Sequence, residues 1–280
     1  MMYKPILELY EWIDKNKLNY HILSYNKNAL DFLLMEDINY INWSYLSNNK
    51  NKKAIELLRD NPDKIDWYVL SGNPEAIELL KANPNKIYWY MLSSNINGID
   101  LLEKNQDKIN WSILSGNSKA LRILKENPDK IDWDELSGNP EAIELLKANQ
   151  DKIDWSKLSY NPEAIELLKA NPDKIDWSNL SRNTNPEAIK LLKENPDKID
   201  WCELSLNPSG LTILKDNQDK IKWSYFSLNP AIFRYDYKKI KEEFKEMAEE
   251  IIAKALHPKR IFRLIELYGE DEIYNIYFED

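Results

Sequence analysis

Nine tryptophans stand at positions 43, 67, 89, 111, 133, 155, 177, 201 and 223, at intervals of 22 residues with two of 24, and Tyr20 stands 23 residues before the first. An interval so short and so regular constrains the fold more than any other feature of the chain. A unit of ~22 residues is too small to enclose a core, so each copy must bury its apolar face against its neighbours, and the copies must stack. Numbering the unit from Trp gives W-S-x-L-S-x-N-P-E-A-I-E-L-L-K-A-N-P-D-K-I-D, best represented by residues 155–176. Slot 5 is Ser and slot 7 is Asn in all ten copies, the Asn column running from Asn26 to Asn229. The two longer intervals come from extra residues beside slot 7, Lys50-Asn51 and Thr184-Asn185, which mark a surface loop.

The unit's two Asn-Pro steps place its helices. Asn is a strong N-cap because its side-chain oxygen accepts from an orphan backbone N–H, and Pro suits the following position because no N–H is needed there. Asn161-Pro162 therefore opens a helix in which Ala164, Ile165, Leu167 and Leu168 form an apolar stripe. Asn171-Pro172 closes that helix, since the residue before proline avoids the α region. Asp176 then caps a shorter helix carrying Trp177 and Leu180 on one face. The expected fold is all-α, a solenoid of ten helical hairpins. With helices about 8–10 Å apart it would be a curved rod on the order of 90 Å long. A leucine-rich-repeat-like horseshoe, with "KIDW" as a short strand, is the alternative that a 22-residue period allows. Residues 1–19 carry a helical stripe of Ile6, Leu9, Trp12 and Ile13 that suits an N-terminal cap to a solenoid over 20–230. Residues 231–280 read as a C-terminal helical cap, with Ile240, Phe244, Met247, Ile251 and Leu256 on one helix stopped by His257-Pro258. A second helix there, with Ile261, Leu264, Ile265 and Leu267, ends at Gly269.

Composition narrows the function. A net charge of −9 repels phosphate backbones and anionic lipid, so nucleic acid and membrane surfaces are not expected partners and a basic protein surface is. No run of about 18 apolar residues occurs, the N-terminus has no leader-like apolar run, and the single cysteine, Cys202, has no partner for an internal disulfide, all of which suit the cytoplasm. His21 and His257 lie at opposite ends of the chain, which argues against zinc ligation or a histidine-assisted nucleophile, although the imidazole of His257 can meet the last carbonyls of the preceding helix. The repeated carboxylates recur on solvent faces instead of converging, and no glycine-rich phosphate loop is present. The chain is expected to be no enzyme and to use no cofactor or metal.

The tryptophans, repeated in one slot beside Ile and Leu, read as shared core. Variable slots are then the ones left to meet another molecule. Slot 3 reads Tyr45, Val69, Met91 and Ile113 in four successive copies, then Glu135, Lys157, Asn179 and Glu203. Slot 2 adds Tyr68 and Tyr90, and slot 22 adds Tyr88. Equivalent slots stack in columns, so Tyr45, Tyr68, Val69, Tyr88, Tyr90, Met91 and Ile113 should form one aromatic and apolar strip suited to a protein partner. The reading is a protein-interaction scaffold or adaptor, monomeric or weakly self-associating. A self-assembling structural component that uses the same strip is the alternative.

The repeat "NPEAIELLKANPDKIDWSxLS" and the tail "IAKALHPKRIFRLIELYGEDEI" resemble the tandem-repeat proteins of giant, mimivirus-like nucleocytoplasmic large DNA viruses, over nearly the whole chain. The resemblance implies a virus-encoded repeat protein working in infected-cell cytoplasm, as a scaffold or as a component of the virion or viral factory, and implies no assigned chemistry. Tyr20 in place of Trp, and "SNINGIDLLEKNQDKIN", depart from the pattern.

Overall fold

The computed structural model describes residues 7–268 and is an all-α repeat solenoid, apart from two three-residue strands. The unit beginning at Trp155 shows how the sequence builds it. The Asp154 carboxylate accepts from the Lys157 N–H and starts a first helix over Trp155–Tyr160. Asn161 accepts from the Glu163 N–H, and Pro162–Ala164 forms a 3-10 turn that runs into a second helix at Ile165–Lys169. Asn171 ends that helix with its side-chain amide donating to the Leu167 carbonyl, and Pro172–Lys174 makes another 3-10 turn. Ile175 and the next capping aspartate, Asp176, are then both extended. Two extended residues per unit form no strand among the described residues, and "KIDW" is a turn into the next helix, so the horseshoe alternative is set aside.

The core runs along the Leu column at slot 4, the Leu column at slot 14 and the Ala column at slot 10. Leu158, Leu168 and Ala164 are fully buried, as are their counterparts Leu136, Leu146 and Ala142. The tryptophans are not in it, which corrects the reading from sequence. All nine repeat indoles are half-buried. In units 4 to 8 the slot-20 lysine of each unit lies over the indole that begins the same unit, from Lys108 on Trp89 at 4.5 Å and Lys152 on Trp133 at 4.3 Å to Lys198 on Trp177 at 4.4 Å. A shared slot says only that each copy meets the same surroundings. Here those surroundings are the edge of the core, closed by an ammonium whose contact is worth about 0.5–1 kcal/mol at an exposed site.

What joins one unit to the next is polar and buried. The Ser159 hydroxyl donates to the Trp155 carbonyl and accepts from the Asp176 N–H. Asn161 uses both ends of its amide. Its oxygen caps the second helix of its own unit, while its Nδ2 donates to the Ser137 and Asn139 carbonyls of the unit before, at 3.1 and 3.0 Å. The capping and ladder roles of the Asn column are thus held by one side chain at once. Every slot-7 asparagine makes this pair of bonds, and all ten are buried.

The first asparagine shows that the array is a closed ring and not a rod. Asn26 donates to the carbonyls of Ser227 and Asn229, 201 and 203 residues away, and the Asn19 N–H donates to the Ser227 hydroxyl. Unit 1 therefore follows unit 10 through the same bonds that unit 2 makes to unit 1. Residues from both ends of the array complete the tenth unit. Its first helix, Trp223–Phe226, and the 3-10 turn Pro230–Ile232 come from the late end. A 3-10 turn at Lys15–Lys17, in register with Pro172–Lys174, comes from the early end, and Lys17 lies over Trp223 at 5.2 Å. Trp12 packs on Phe226, and Ile13 and Leu18 are buried. A solenoid whose ends cover each other needs no separate caps.

The expected helical stripe in residues 1–19 is replaced by strand β1, Leu7–Leu9, and the 3-10 turn; Ile6 lies outside the described residues. β1 pairs with β2, Phe233–Tyr235. The chain divides into a body spanning Leu9–Arg234, which holds the ring, and a second body that takes the residues before and after it. In the second body, helices run over Tyr237–Ala255 and Pro258–Tyr268. Between them the imidazole Nδ1 of His257 accepts from the Lys259 N–H, so this histidine caps the following helix instead of meeting the carbonyls of the preceding one. Gly269 lies outside the described residues. No helix among the described residues is long and apolar enough to cross a membrane.

Closure makes a direct prediction. Asn139→Asp keeps the capping oxygen but removes two donors and sets a carboxylate against two buried carbonyls, at a cost of about 3 kcal/mol or more. In a ring, Asn26→Asp costs the same, whereas in an open array Asn26 would be terminal and its replacement nearly neutral. Urea unfolding midpoints of the two variants distinguish the cases.

Candidate functional site

A cavity of ≈ 590 Å³ is lined by residues from units 1, 2, 7, 8, 9 and 10, a continuous arc across the seam. Units 2 and 7 are five steps apart in a ring of ten, so their side chains, Tyr45 and Tyr160, reach one space from opposite walls. Apart from Asn207 at slot 7 and the inserted residues, the lining comes from slots 3, 6 and 8, which are therefore the slots that face the middle of the ring. The reason lies in the first helix: slots 1 and 5 are tied to the neighbouring turns and slot 4 is core, which leaves slots 3 and 6 on the remaining face. Both two-residue insertions also reach this space, through Lys50 and Thr184. The surface loops expected there are exposed, and their surface is the one that borders the cavity. A recess of ≈ 220 Å³ lined by Tyr25, Lys27 and Lys50 adjoins it, sharing Tyr25, Lys50, Leu228 and Pro230 with the larger space.

The sequence-derived strip divides between two places. Tyr45 lines the cavity and is exposed. Val69, Met91 and Ile113 share its slot and are half-buried. Met91 lies over Gly72, its Cε 3.1 Å from where a Cβ would stand, a close approach that the absence of a side chain at slot 6 allows. Tyr68, Tyr88 and Tyr90, which are not among the cavity's lining residues, are 45%, 50% and 50% exposed.

Other units show what Tyr68 and Tyr88 replace. Slot 2 is Ser in half the units, and in four of them its hydroxyl donates to the slot-22 Asp that caps the next unit's first helix, as from Ser44 to Asp66 at 2.7 Å, Ser112 to Asp132 at 2.6 Å and Ser156 to Asp176 at 2.6 Å. At the junction of units 3 and 4 the same two slots hold tyrosines that meet edge-to-face at 5.4 Å. An exposed aromatic pair has taken the place of a hydrogen bond.

Sequence reasoning missed Tyr25, Tyr160, Arg182, Leu206 and Leu228. All are at slot 6, which is small or polar in units 2 to 6 and large in units 7 to 10 and 1, a change of character as plain as the one at slot 3. Arg182 lies over the Tyr160 ring at 5.2 Å, and its Nε is 3.8 Å from a Glu203 carboxylate oxygen.

The displaced pKa values belong to structural groups. The Ser112 hydroxyl, against burial and with help from backbone N–H groups, holds Asp132 below the usual carboxylate value. At Asp176 burial pushes upward but is outweighed by the bonds from Ser156 and Asn179. The Glu135 hydrogen bond raises Lys157. Among the described residues no three His, Cys, Asp or Glu side chains gather as a metal-ion set. Cys202, at slot 2, is half-buried and unbridged, and His21 is exposed beside Tyr40. No protein-family model matches the chain, and no curated protein or solved structure matches it.

A carboxylate whose pKa is lowered by folding stabilises the fold above its unfolded pKa, near 4, and that contribution is lost as the pH falls through the folded value. Ser112→Ala should therefore flatten the acid limb of stability below about pH 4 while leaving the neutral-to-alkaline limb unchanged in shape. Thermal midpoints from pH 2 to 8 check this, and an unchanged acid limb contradicts it.

Proposed function

We propose that this chain is a non-enzymatic protein-interaction scaffold that docks a protein partner through Tyr68, Tyr88 and Tyr90, the exposed part of the expected strip outside the cavity, with Tyr45, Val69, Met91 and Ile113 on the inward-facing slot 3 set apart from them. The observation that carries the proposal is the Tyr68–Tyr88 pair. Ten near-identical units solve the same packing problem, and in four of them slots 2 and 22 solve it with a Ser–Asp hydrogen bond. Replacing it with two half-exposed aromatic rings serves no need of the ring itself. Tyrosine supplies large contact area with little side-chain entropy to lose, which is why it concentrates binding energy at protein interfaces. Tyr90 extends the patch by one unit, and the acidic exterior implied by the net charge of −9 favours a basic partner.

The resemblance to giant-virus repeat proteins supports placing this scaffold in the cytoplasm of an infected cell, on host or viral proteins. A second copy of the chain is the competing occupant of the strip, as in a virion or factory component.

Tyr68→Ser with Tyr88→Asp restores the pair that other units use, so it should leave stability within about 0.5 kcal/mol of the parent. The same double variant, with Tyr90→Ser, should lose its partner in quantitative affinity capture from host lysate. Capture of an unchanged set of proteins in unchanged amounts rejects the strip. Light scattering across a concentration series tests self-association, which a strict monomer excludes.

A further inference from the structure

The central cavity is a second binding site, built differently from the tyrosine strip, and we propose that it takes an acidic peptide segment carrying apolar side chains. The class of ligand rests on the scaffold reading above, but the site and its charge do not.

Three observations carry it. The first is sign. Lys50 and Arg182 line the cavity, Lys27 lines the adjoining recess, and among the described residues no carboxylate lines either space, in a chain whose net charge is −9. Glu203 stands 3.8 Å from the Arg182 Nε and offsets part of that charge, while Lys27 and Lys50 have no ion-pair partner among the described residues. Enclosing walls of low polarisability strengthen the attraction of such cations for an anion and weaken the screening that salt imposes outside.

The second is the lining around the cations. Tyr25, Tyr45 and Tyr160 present rings, and Leu206, Leu228 and Pro208 present aliphatic surface. Arg182 is already seated on the Tyr160 ring, so its guanidinium is held in place before a ligand arrives. A purely ionic ligand would leave this apolar surface unused. The third is the placement of the insertions. The only two departures from the 22-residue spacing between tryptophans each put a residue into this space, Lys50 and Thr184, from units six steps apart along the chain. Insertions made for solubility or tolerated by neutrality have the whole outer surface available to them.

A space of ≈ 590 Å³ holds a few residues of one extended chain. Single-stranded nucleic acid shares the negative charge and the taste for aromatic faces, but aliphatic and proline surface serves side chains better than it serves bases, and the exterior of the ring repels a continuous phosphate backbone.

The test uses the full chain and fluorescence anisotropy with three fluorescein-labelled probes: octapeptides mixing Asp and Glu with Leu, Phe and Tyr; the same pool with Lys and Arg for the acids; and an eight-nucleotide oligothymidylate. The acidic pool should bind best. Lys50→Glu with Arg182→Glu, both at exposed positions, should weaken the acidic pool by about tenfold or more and turn the preference toward the basic pool. Tyr68→Ser with Tyr90→Ser should leave acidic-pool binding unchanged even where it abolishes capture of a partner by the strip, which separates the two sites. Equal binding of the acidic and basic pools, a preference for the oligonucleotide, no acidic-pool binding up to 1 mM, or indifference to the charge reversal would each overturn the proposal. The gain of basic-pool binding by the reversed variant shows that its ring is folded.

Discussion

The bond on which the molecule depends is the one from each slot-7 asparagine to the two carbonyls of the unit before it. The same amide caps its own helix, so a single buried side chain sets where the second helix of one unit begins and how far it stands from its neighbour. Aspartate would keep the cap and lose the donors. Serine is too short to reach both carbonyls, and glutamine is too long to cap. With every group buried, an error is not rescued by water and costs on the order of 1–3 kcal/mol for each unpaired partner. The slot-5 serine works under the same constraint, donating to its own helix and accepting from the slot-22 residue that caps the next unit's first helix. These two columns tolerate no variation, and none is present.

Curvature follows from where those bonds lie. They join the first helices and the turns that follow them, and so draw that inner row of the array together. Each unit turns the chain by a tenth of a circle. The ladder then meets its own beginning, and the last unit is assembled from Trp223–Ile232 and the residues before Tyr20. Variation is confined to slots that carry none of this. Slot 2 makes an optional bond, slots 3 and 6 face the interior, and slot 8 borders it, so aromatic and cationic side chains could accumulate there without disturbing the ladder.

The unit was fully legible in the sequence because caps and prolines act locally: Asn161-Pro162, Asn171-Pro172 and Asp176 do in the structure what their chemistry dictates. Closure was not legible. The angle between successive units, summed over ten of them, decides between a rod and a ring, and no local signal encodes it. The clue at the seam was faint, since "DKNKLN" at residues 14–19 matches slots 17–22 of a unit only once Trp223 is known to lie beside it. The tryptophans misled for a related reason. Repetition marks a shared environment, and an indole at the edge of a core repeats as faithfully as one at its centre. Of the strip, Tyr68 and Tyr88 could be paired from the sequence by stacking columns, whereas the meeting of Tyr45 with Tyr160 across the ring required the ring.

A unit shared between two distant stretches of chain also sets the order of events during synthesis. Nine units can form as they leave the ribosome, each templated by the one before, but the tenth waits until residues near 230 have emerged. Until then the nascent molecule is an arc with an unoccupied asparagine amide at one end. Once complete, its far end offers two carbonyls that a neighbouring arc's amide fits as well as its own. Dilute, well-separated nascent chains close on themselves; crowded ones on a polysome are free to join head to tail, and the difference between a monomeric ring and an open polymer is decided by how quickly each arc finds its own beginning.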